Sequence, residues 1–130
     1  MAIKSAKEMV NDAKSEITTL TVAEAKAKAD AGEALLVDIR DIRELKREGR
    51  IPGAFHAPRG MLEFWVSPDS PYHKEELATD KTIALFCASA WRSALSAKTL
   101  QDMGVENVAE VGGGFSAWRD AGLPVEKDDA

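Results

Sequence analysis

An apolar segment that runs directly into the only cysteine of the sequence constrains the fold more than any other feature. Residues 83–86 are apolar, Cys87 follows them, and a segment with helical spacing begins at Arg92 after a short loop. A short apolar run bounded by loop signals is typical of a strand buried within a sheet. We therefore expect Cys87 at the carboxyl end of a strand, where open α/β sheets bind ligands, facing the amino terminus of a helix.

The position predicted for Cys87 favours a chemical role. Amides in the first turn of a helix have no intrahelical acceptor and carry the positive end of the helix dipole. They favour a thiolate over a thiol and attract anionic substrates. A free cysteine is most often a small buried apolar residue, but the loop and helix that follow Cys87 at once favour a nucleophile in an anion-binding loop. The loop comprises Ala88, Ser89, Ala90, Trp91, Arg92 and Ser93.

Length and charge exclude several classes of protein. The 130 residues, 45% of them hydrophobic, are sized for one compact domain. The 17 Lys and Arg against 22 Asp and Glu give a formal charge of -5, which opposes binding to nucleic acid and to anionic membranes. Neither a signal peptide nor an apolar run approaching the ~20 residues of a membrane span is found. A single cysteine forms no internal disulfide, so we expect a cytoplasmic protein.

Strand and helix signals alternate along the sequence. Thr21 and Glu24 have the spacing of a helix capping box, and Asp41 is a candidate cap for the next helix. Strands are predicted over residues 17–20, 35–39, 55–57, 83–87 and 108–111, and helices over residues 5–16, 21–31, 41–48, 59–65, 92–103 and 115–121. This alternation predicts an α/β fold in which helices cover both faces of a mostly parallel sheet.

The same signals divide the chain into three parts. Residues 1–19 are expected to form an appended amphipathic helix and a first short strand. The main domain is expected over residues 20–125, followed by a disordered tail over residues 126–130. Within the main domain, residues 66–73 contain two prolines, which predicts a surface loop that is either inert or a lid near Cys87.

Three motifs resemble those of the rhodanese family of sulfurtransferases. The first is Val37-Asp38-Ile39-Arg40, followed by Glu44 and by Gly49-Arg50-Ile51-Pro52-Gly53-Ala54. The second is Cys87-Ala88-Ser89-Ala90-Trp91-Arg92-Ser93, which is similar to the family's C-x-x-G-x-R-S loop. The third is Gly112-Gly113-Gly114-Phe115-Ser116-Ala117-Trp118, followed by Ala121-Gly122-Leu123-Pro124-Val125. Because the three occur in the family's order over one domain, the chain resembles a single-domain rhodanese.

The resemblance implies both a fold and a reaction. The implied fold is a three-layer α/β domain with a five-stranded, mostly parallel sheet. The implied reaction is sulfur transfer through a persulfide on Cys87, with no metal and no organic cofactor. The donor is expected to be a small anion, thiosulfate or a persulfide, and the acceptor to be cyanide or a thiol, including a protein thiol. The chain is expected to act as a monomer or a homodimer.

Two departures from the family pattern bear on the loop. Ala90 stands where the family usually has glycine, so either the backbone there has negative φ or it carries strain of ~1 kcal/mol. Residues 88–91 include no basic side chain, whereas efficient thiosulfate users of this family often carry one. We therefore expect thiosulfate to be a poor donor.

The side chains around Cys87 have structural as well as functional interpretations. Arg92 is expected to bond loop carbonyls and fix the anion cradle. Ser93 is either a plain helix-start residue or a hydroxyl that touches the persulfide, and the two interpretations weigh equally. Trp91 is interpreted as a wall of the pocket mouth, the alternative being a surface ring that contacts a partner protein.

Four residues at the same edge of the predicted sheet are further candidates. Asp38 and Arg40 are expected to form a buried ion pair that supports the loop, because arginine stays charged and cannot act as a base. His56 and Arg59 follow a strand that ends at this edge. One interpretation places them at the rim of the anion site; the other is a hydrogen-bonded structural histidine and a solvated arginine.

Other functions remain as alternatives to sulfur transfer. A noncatalytic or regulatory rhodanese module that binds a partner protein is one, although the presence of Cys87 argues against it. A phosphatase or arsenate reductase would also use a cysteine in an anion cradle. Those relatives have one more residue between cysteine and arginine than the four found here. A thiol–disulfide oxidoreductase would need an external resolving thiol.

Overall fold

A five-stranded sheet with all its strands parallel forms the centre of the computed structural model, which describes residues 2–127. The strands are β1 Thr19–Leu20, β2 Ala34–Asp38, β3 Phe55–His56, β4 Thr82–Phe86 and β5 Val108–Val111. Their order across the sheet is β1-β5-β4-β2-β3, and every pairing is parallel. The apolar strand β4 therefore lies in the middle, which confirms its predicted burial.

Six α-helices precede, connect or follow the strands in the described part of the chain. They are α1 Ala6–Lys14, α2 Val22–Asp30, α3 Ile42–Glu48, α4 Leu62–Val66, α5 Arg92–Asp102 and α6 Gly114–Asp120. The predicted caps are present, because Thr21 and Asp41 each form a capping box with a glutamate three residues later. The helices cap themselves as the local sequence specifies.

Alternate residues of β4 enter two separate cores, one on each face of the sheet. Ile83 and Leu85 pack on one face with residues of α4 and α5 such as Leu62 and Leu100. On the other face Ala84 and Phe86 pack with α2 and α6, which supply the residues Ala25, Phe115 and Trp118. Strands buried on both faces have this continuous apolar character, and the predicted three-layer α/β architecture is confirmed.

Helix α1 packs on α5 rather than on the sheet. Its buried residues Val10 and Ala13 contact Ala94 of α5 in a small third cluster. The Ser5 side chain accepts a hydrogen bond from the amide of Glu8, 3.1 Å away, and so caps the helix. The thin apolar stripe predicted for this segment is thus covered by the helix that follows the cysteine loop.

Several element boundaries differ from the predicted ones. The strand predicted over residues 17–20 is paired only at Thr19–Leu20. The helix predicted over residues 59–65 begins as a 3-10 turn, Arg59–Met61, before α4. A second 3-10 turn, Glu75–Leu77, was not predicted. Short turns of this kind have little periodicity, so the apolar pattern does not reveal them.

The two ends of the chain are only partly described. Glu126, the first residue of the predicted tail, forms an antiparallel bridge with Arg50, and residues 128–130 lie outside the described residues. No helix in residues 2–127 is long and apolar enough to cross a membrane.

Candidate active site

Cys87 directly follows β4 and points at the first turn of α5. The amide of Ser93 donates to the Cys87 Sγ at 3.4 Å, and the Ser93 hydroxyl oxygen is 3.7 Å from the same sulfur. Cys87 is almost completely buried, with 1% of its surface exposed. A sulfur anion at this position is stabilised by an amide that has no helical partner.

The loop between β4 and α5 turns through a left-handed alanine. Ala90 has φ 69°, and no other residue besides glycine has positive φ in the described chain. Of the two alternatives predicted for Ala90, negative φ or a strained backbone, the structure has the strained one. The left-handed alanine carries about 1 kcal/mol of backbone strain. Its side chain is buried, so the residue is fixed in this conformation by its surroundings.

Helix α6 holds the backbone of the cysteine loop from behind. The Phe115 amide donates to the Cys87 carbonyl at 2.7 Å, and the Ser116 amide donates to the Ala88 carbonyl at 3.0 Å. Gly114 has φ +60°, and a Cβ on it would lie 2.4 Å from the Cys87 carbonyl oxygen. Only glycine allows this close approach, which is the contact that the predicted glycine-rich turn makes.

Arg92 pairs with Glu44 of α3, and this corrects its predicted bond to loop carbonyls. Its Nη1 and Nη2 donate to the two Glu44 carboxylate oxygens at 2.7 and 3.0 Å. This bidentate contact holds the pKa of Glu44 below its ordinary value and raises the pKa of Arg92, to which the Cys87 sulfur adds a smaller effect. A bidentate carboxylate matches the guanidinium better than single carbonyls do, so Arg92 is fixed beside the sulfur from outside the loop.

Asp38 and Arg40 form a buried ion pair beneath this region. The Arg40 Nε and Nη2 donate to the Asp38 carboxylate at 3.0 and 2.8 Å, and Nη2 also donates to the Gly49 carbonyl at 2.9 Å. The Arg40 guanidinium lies 4.0 Å from the centre of the Phe115 ring. Because Phe115 also holds the Cys87 carbonyl, the ion pair contacts a residue that positions the loop.

In residues 2–127, neither His56 nor Arg59 forms a hydrogen bond with the Cys87 sulfur. The His56 Nε2 lies 2.7 Å from the Arg40 carbonyl. The Arg59 Nη1 donates to Glu63 at 2.6 Å. Their contacts match the scaffold interpretation. Trp91, the residue before α5, is half exposed.

Residues 66–73 lie at the opposite end of the sheet from Cys87. Ser67, Pro68 and His73 line a cavity of about 580 Å³ together with Ile83, near the start of β4. Cys87 follows the other end of that strand. Residues 66–73 therefore form a surface loop, and a lid over Cys87 is excluded.

Glu110 is a buried residue of the site that the sequence did not identify. It is fully buried on β5, and the Ser93 hydroxyl donates to its Oε1 at 2.8 Å. The Thr19 hydroxyl donates to its Oε2 at 3.1 Å, and the Lys14 Nζ lies 3.4 Å from the same oxygen. The available signal was a charged residue in an otherwise apolar strand, since buried carboxylates are rare unless they are paired.

The assembled site suits sulfur-anion chemistry. The Cys87 sulfur faces an amide donor and a fixed guanidinium, which stabilise negative charge without reorganising. Within residues 2–127, no group of three or more His, Cys, Asp or Glu residues is placed to hold a metal ion.

Comparisons with known proteins show which family this chain resembles. The family model described as "Rhodanese-like domain" matches residues 21–121. A sulfurtransferase of Allochromatium vinosum is 32% identical over 97 residues, which are 75% of this chain and 82% of that protein.

Two solved structures extend the likeness to the fold. A Rhodopseudomonas palustris protein of unknown function, described as a possible tyrosine phosphatase, is 51% identical, with a TM-score of 0.91 and 97% of both chains covered. The polysulfide-sulfur transferase homodimer of Wolinella succinogenes is 29% identical, with a TM-score of 0.75, 95% of this chain and 88% of that chain covered. Because the family model spans more than half of the sequence, this chain belongs to the rhodanese-like family.

Proposed function

We propose that this protein is a sulfurtransferase that carries sulfane sulfur as a persulfide on Cys87. The Cys87 thiolate attacks the outer sulfur of the donor, so a bond forms between Sγ and that sulfur. The donor's own bond to the sulfur breaks, and its electron pair leaves with sulfite or with a thiolate. An acceptor thiolate or cyanide then attacks the terminal sulfur and regenerates the Cys87 thiolate.

The observation that supports this proposal most directly is the amide of Ser93, 3.4 Å from the Cys87 Sγ. The loop residues 88–93 place it there and form the anion cradle of the proposal. The Arg92 guanidinium, which is paired with Glu44, adds a smaller positive potential beside the sulfur. The negative charge on the thiolate, and later on the persulfide, thus meets fixed positive dipoles.

The loop favours persulfide donors over thiosulfate. Residues 88–91 contain no basic side chain, and Arg92 is paired with Glu44 by two hydrogen bonds. A dianion such as thiosulfate therefore finds no free cation in the loop, whereas a persulfide brings only one negative charge. The proposed acceptor is a thiol, which includes a protein thiol.

Mass spectrometry of the intact protein tests the proposal. After incubation with a panel of thiosulfate, polysulfide and glutathione persulfide, we expect the mass of one added sulfur atom, largest with the persulfide. Cys87→Ser should gain none, because it removes the only cysteine. Dithiothreitol should remove the added sulfur. No adduct with any donor would contradict the sulfurtransferase proposal.

The same protein samples test the alternative functions. The possible tyrosine phosphatase activity named for the Rhodopseudomonas palustris structure needs a cradle for a tetrahedral phosphate. The four residues between Cys87 and Arg92 make a smaller loop than that, so we expect no release of phosphate from a phosphotyrosine ester. A noncatalytic partner-binding module would neither take up sulfur nor release phosphate.

The setting of the activity is also part of the proposal. A reactive thiol persists best in a reducing compartment, so we place the protein in the cytoplasm. A monomer suffices for the proposed reaction, and the homodimer named for the Wolinella succinogenes relative is the alternative assembly.

A further inference from the structure

Glu110 lies two hydrogen bonds away from the Cys87 sulfur. The Ser93 hydroxyl oxygen is 3.7 Å from the Cys87 Sγ, and the same hydroxyl donates to the Glu110 Oε1 at 2.8 Å. All three side chains are buried, with 1% or less of each residue exposed. The contacts form one continuous line from sulfur to hydroxyl to carboxylate.

The partners of Glu110 determine the direction of these hydrogen bonds. Lys14 of α1 and the Thr19 hydroxyl both contact the Glu110 Oε2, at 3.4 and 3.1 Å, and the lysine favours an ionised carboxylate. An ionised carboxylate only accepts hydrogen bonds, so the single Ser93 hydroxyl proton is donated to it. Towards the sulfur, Ser93 therefore presents a lone pair, which accepts from an S–H group and repels a thiolate.

We propose that Glu110 is the proton acceptor of Cys87, acting through the Ser93 hydroxyl. The S–H bond of Cys87 breaks as its proton moves to the Ser93 oxygen, and the original hydroxyl proton moves to the Glu110 Oε1. No electrons are transferred and the net charge of the three groups is unchanged. Both hydrogen bonds reverse, so that Ser93 now donates to the sulfur anion. Glu110 is thus a positioning residue for the proposed sulfur transfer, on which this inference rests.

In this proposal the proton of Cys87 and the charge of Glu110 are linked, so the reactivity of the sulfur depends on both groups. The charged and polar groups that face the pair are Lys14 from α1, Thr19 from β1, Ser93 from α5 and, beside the sulfur, Arg92. Lys14 stabilises the ionised Glu110, and Arg92 stabilises the thiolate. Loss of the first proton from the pair populates some thiolate, and loss of the second completes it. The reactivity of the sulfur therefore rises with pH in two steps.

Alkylation of Cys87 as a function of pH tests this inference separately from sulfur transfer. Because the sequence has one cysteine, the rate of iodoacetamide incorporation reports that sulfur alone. The wild-type protein should show two rises separated by a plateau. Glu110→Gln keeps the shape of the side chain but accepts no proton, so its profile should rise once. A single rise in the wild-type protein, or two rises in Glu110→Gln, would overturn the inference.

Two further variants separate proton transfer from a structural role. Glu16→Gln removes an exposed carboxylate that pairs with Lys98 at 3.2 Å, and it should keep both steps. Lys14→Met should raise the plateau severalfold, because Glu110 then binds the proton of the pair more tightly and more of the sulfur is thiolate. A lower plateau in this variant would contradict the inference. Two steps in a protein that takes up no sulfur would leave the proton acceptor in place and reject only the sulfurtransferase proposal.

Discussion

The backbone of Ala90 carries strain three residues after Cys87, with φ 69°. Ala90→Gly relieves about 1 kcal/mol of left-handed strain but loses a buried methyl group, at about 0.8 kcal/mol, and increases the conformational entropy of the unfolded chain, at about 0.4–1 kcal/mol. We expect its unfolding free energy, measured in urea, to stay within about 1 kcal/mol of wild type.

The matched control for Ala90 is the same substitution in a right-handed helix. Ala97→Gly, also at a buried position in α5, should lose about 2 kcal/mol, from helix propensity and the methyl group together. Equal losses at the two positions would show that Ala90 carries no strain.

Individual site residues were predictable where the local sequence determines their position. Cys87 and Ser93 follow from one strand, one loop and one helix, all adjacent in the sequence. Glu110 and Lys14 were missed because Glu110 reaches Ser93 from β5 and Lys14 reaches Glu110 from α1, and contacts between distant segments have no local signal. Arg92 was assigned the wrong partner for the same reason, since Glu44 lies 48 residues away.

At the scale of elements, the pair Glu44 and Arg92 joins α3 to the start of α5. The Arg92 guanidinium lowers the pKa of Glu44 from its ordinary value of 4.5, and the backbone contact at Asp41 adds to this while burial opposes it. A carboxyl group whose pKa is lowered by folding stabilises the fold fully above its unfolded pKa. That stability is lost as the pH falls through the folded pKa.

Substituting Glu44 tests this link between the two helices. Glu44→Gln should lower stability at neutral pH by about 1 kcal/mol, a modest figure because the Arg92 side chain is partly exposed. It should also lose less stability than wild type between neutral pH and about pH 3, followed by thermal melting. The control is Glu48→Gln, on the same helix with a weak partner at 3.9 Å, which should keep the wild-type acid dependence. If both variants changed the acid dependence equally, the effect would belong to α3 as a whole and not to the Glu44–Arg92 pair.

Elements were predictable where caps and apolar runs mark them. The capping boxes at Thr21 and Asp41 mark the starts of α2 and α3, and the continuous apolar run marks β4. The turn Glu75–Leu77 has no such marks, and its position depends on contacts such as the packing of Leu77 in the core beneath β4. Its surroundings, rather than its own sequence, determine its conformation.

At the scale of the whole molecule, the parallel sheet gives the domain two different ends. All five strands end on the side where Cys87 lies, and α6 and α5 meet its loop there. The other end carries residues 66–73 around a cavity of about 580 Å³. Helix α1, which precedes the family match over residues 21–121, still reaches the cysteine end through Lys14 and Glu110.

This polarity predicts opposite outcomes for substitutions at the two ends. Tyr72→Ser changes an exposed side chain of the loop, so sulfur uptake by Cys87 should stay within about twofold of wild type. Gly114→Ala adds a Cβ that would lie 2.4 Å from the Cys87 carbonyl oxygen. That distance is too short, so the loop must move. A displacement of ~1 Å at a reacting group costs up to about 100-fold in rate, and we expect a loss of more than about tenfold. Both rates come from the mass of the intact protein, with circular dichroism to check folding. If Tyr72→Ser slowed uptake as much as Gly114→Ala, the prediction would be wrong. Residues 66–73 would then act on the cysteine from the opposite end of the sheet, although they lie at the start of β4.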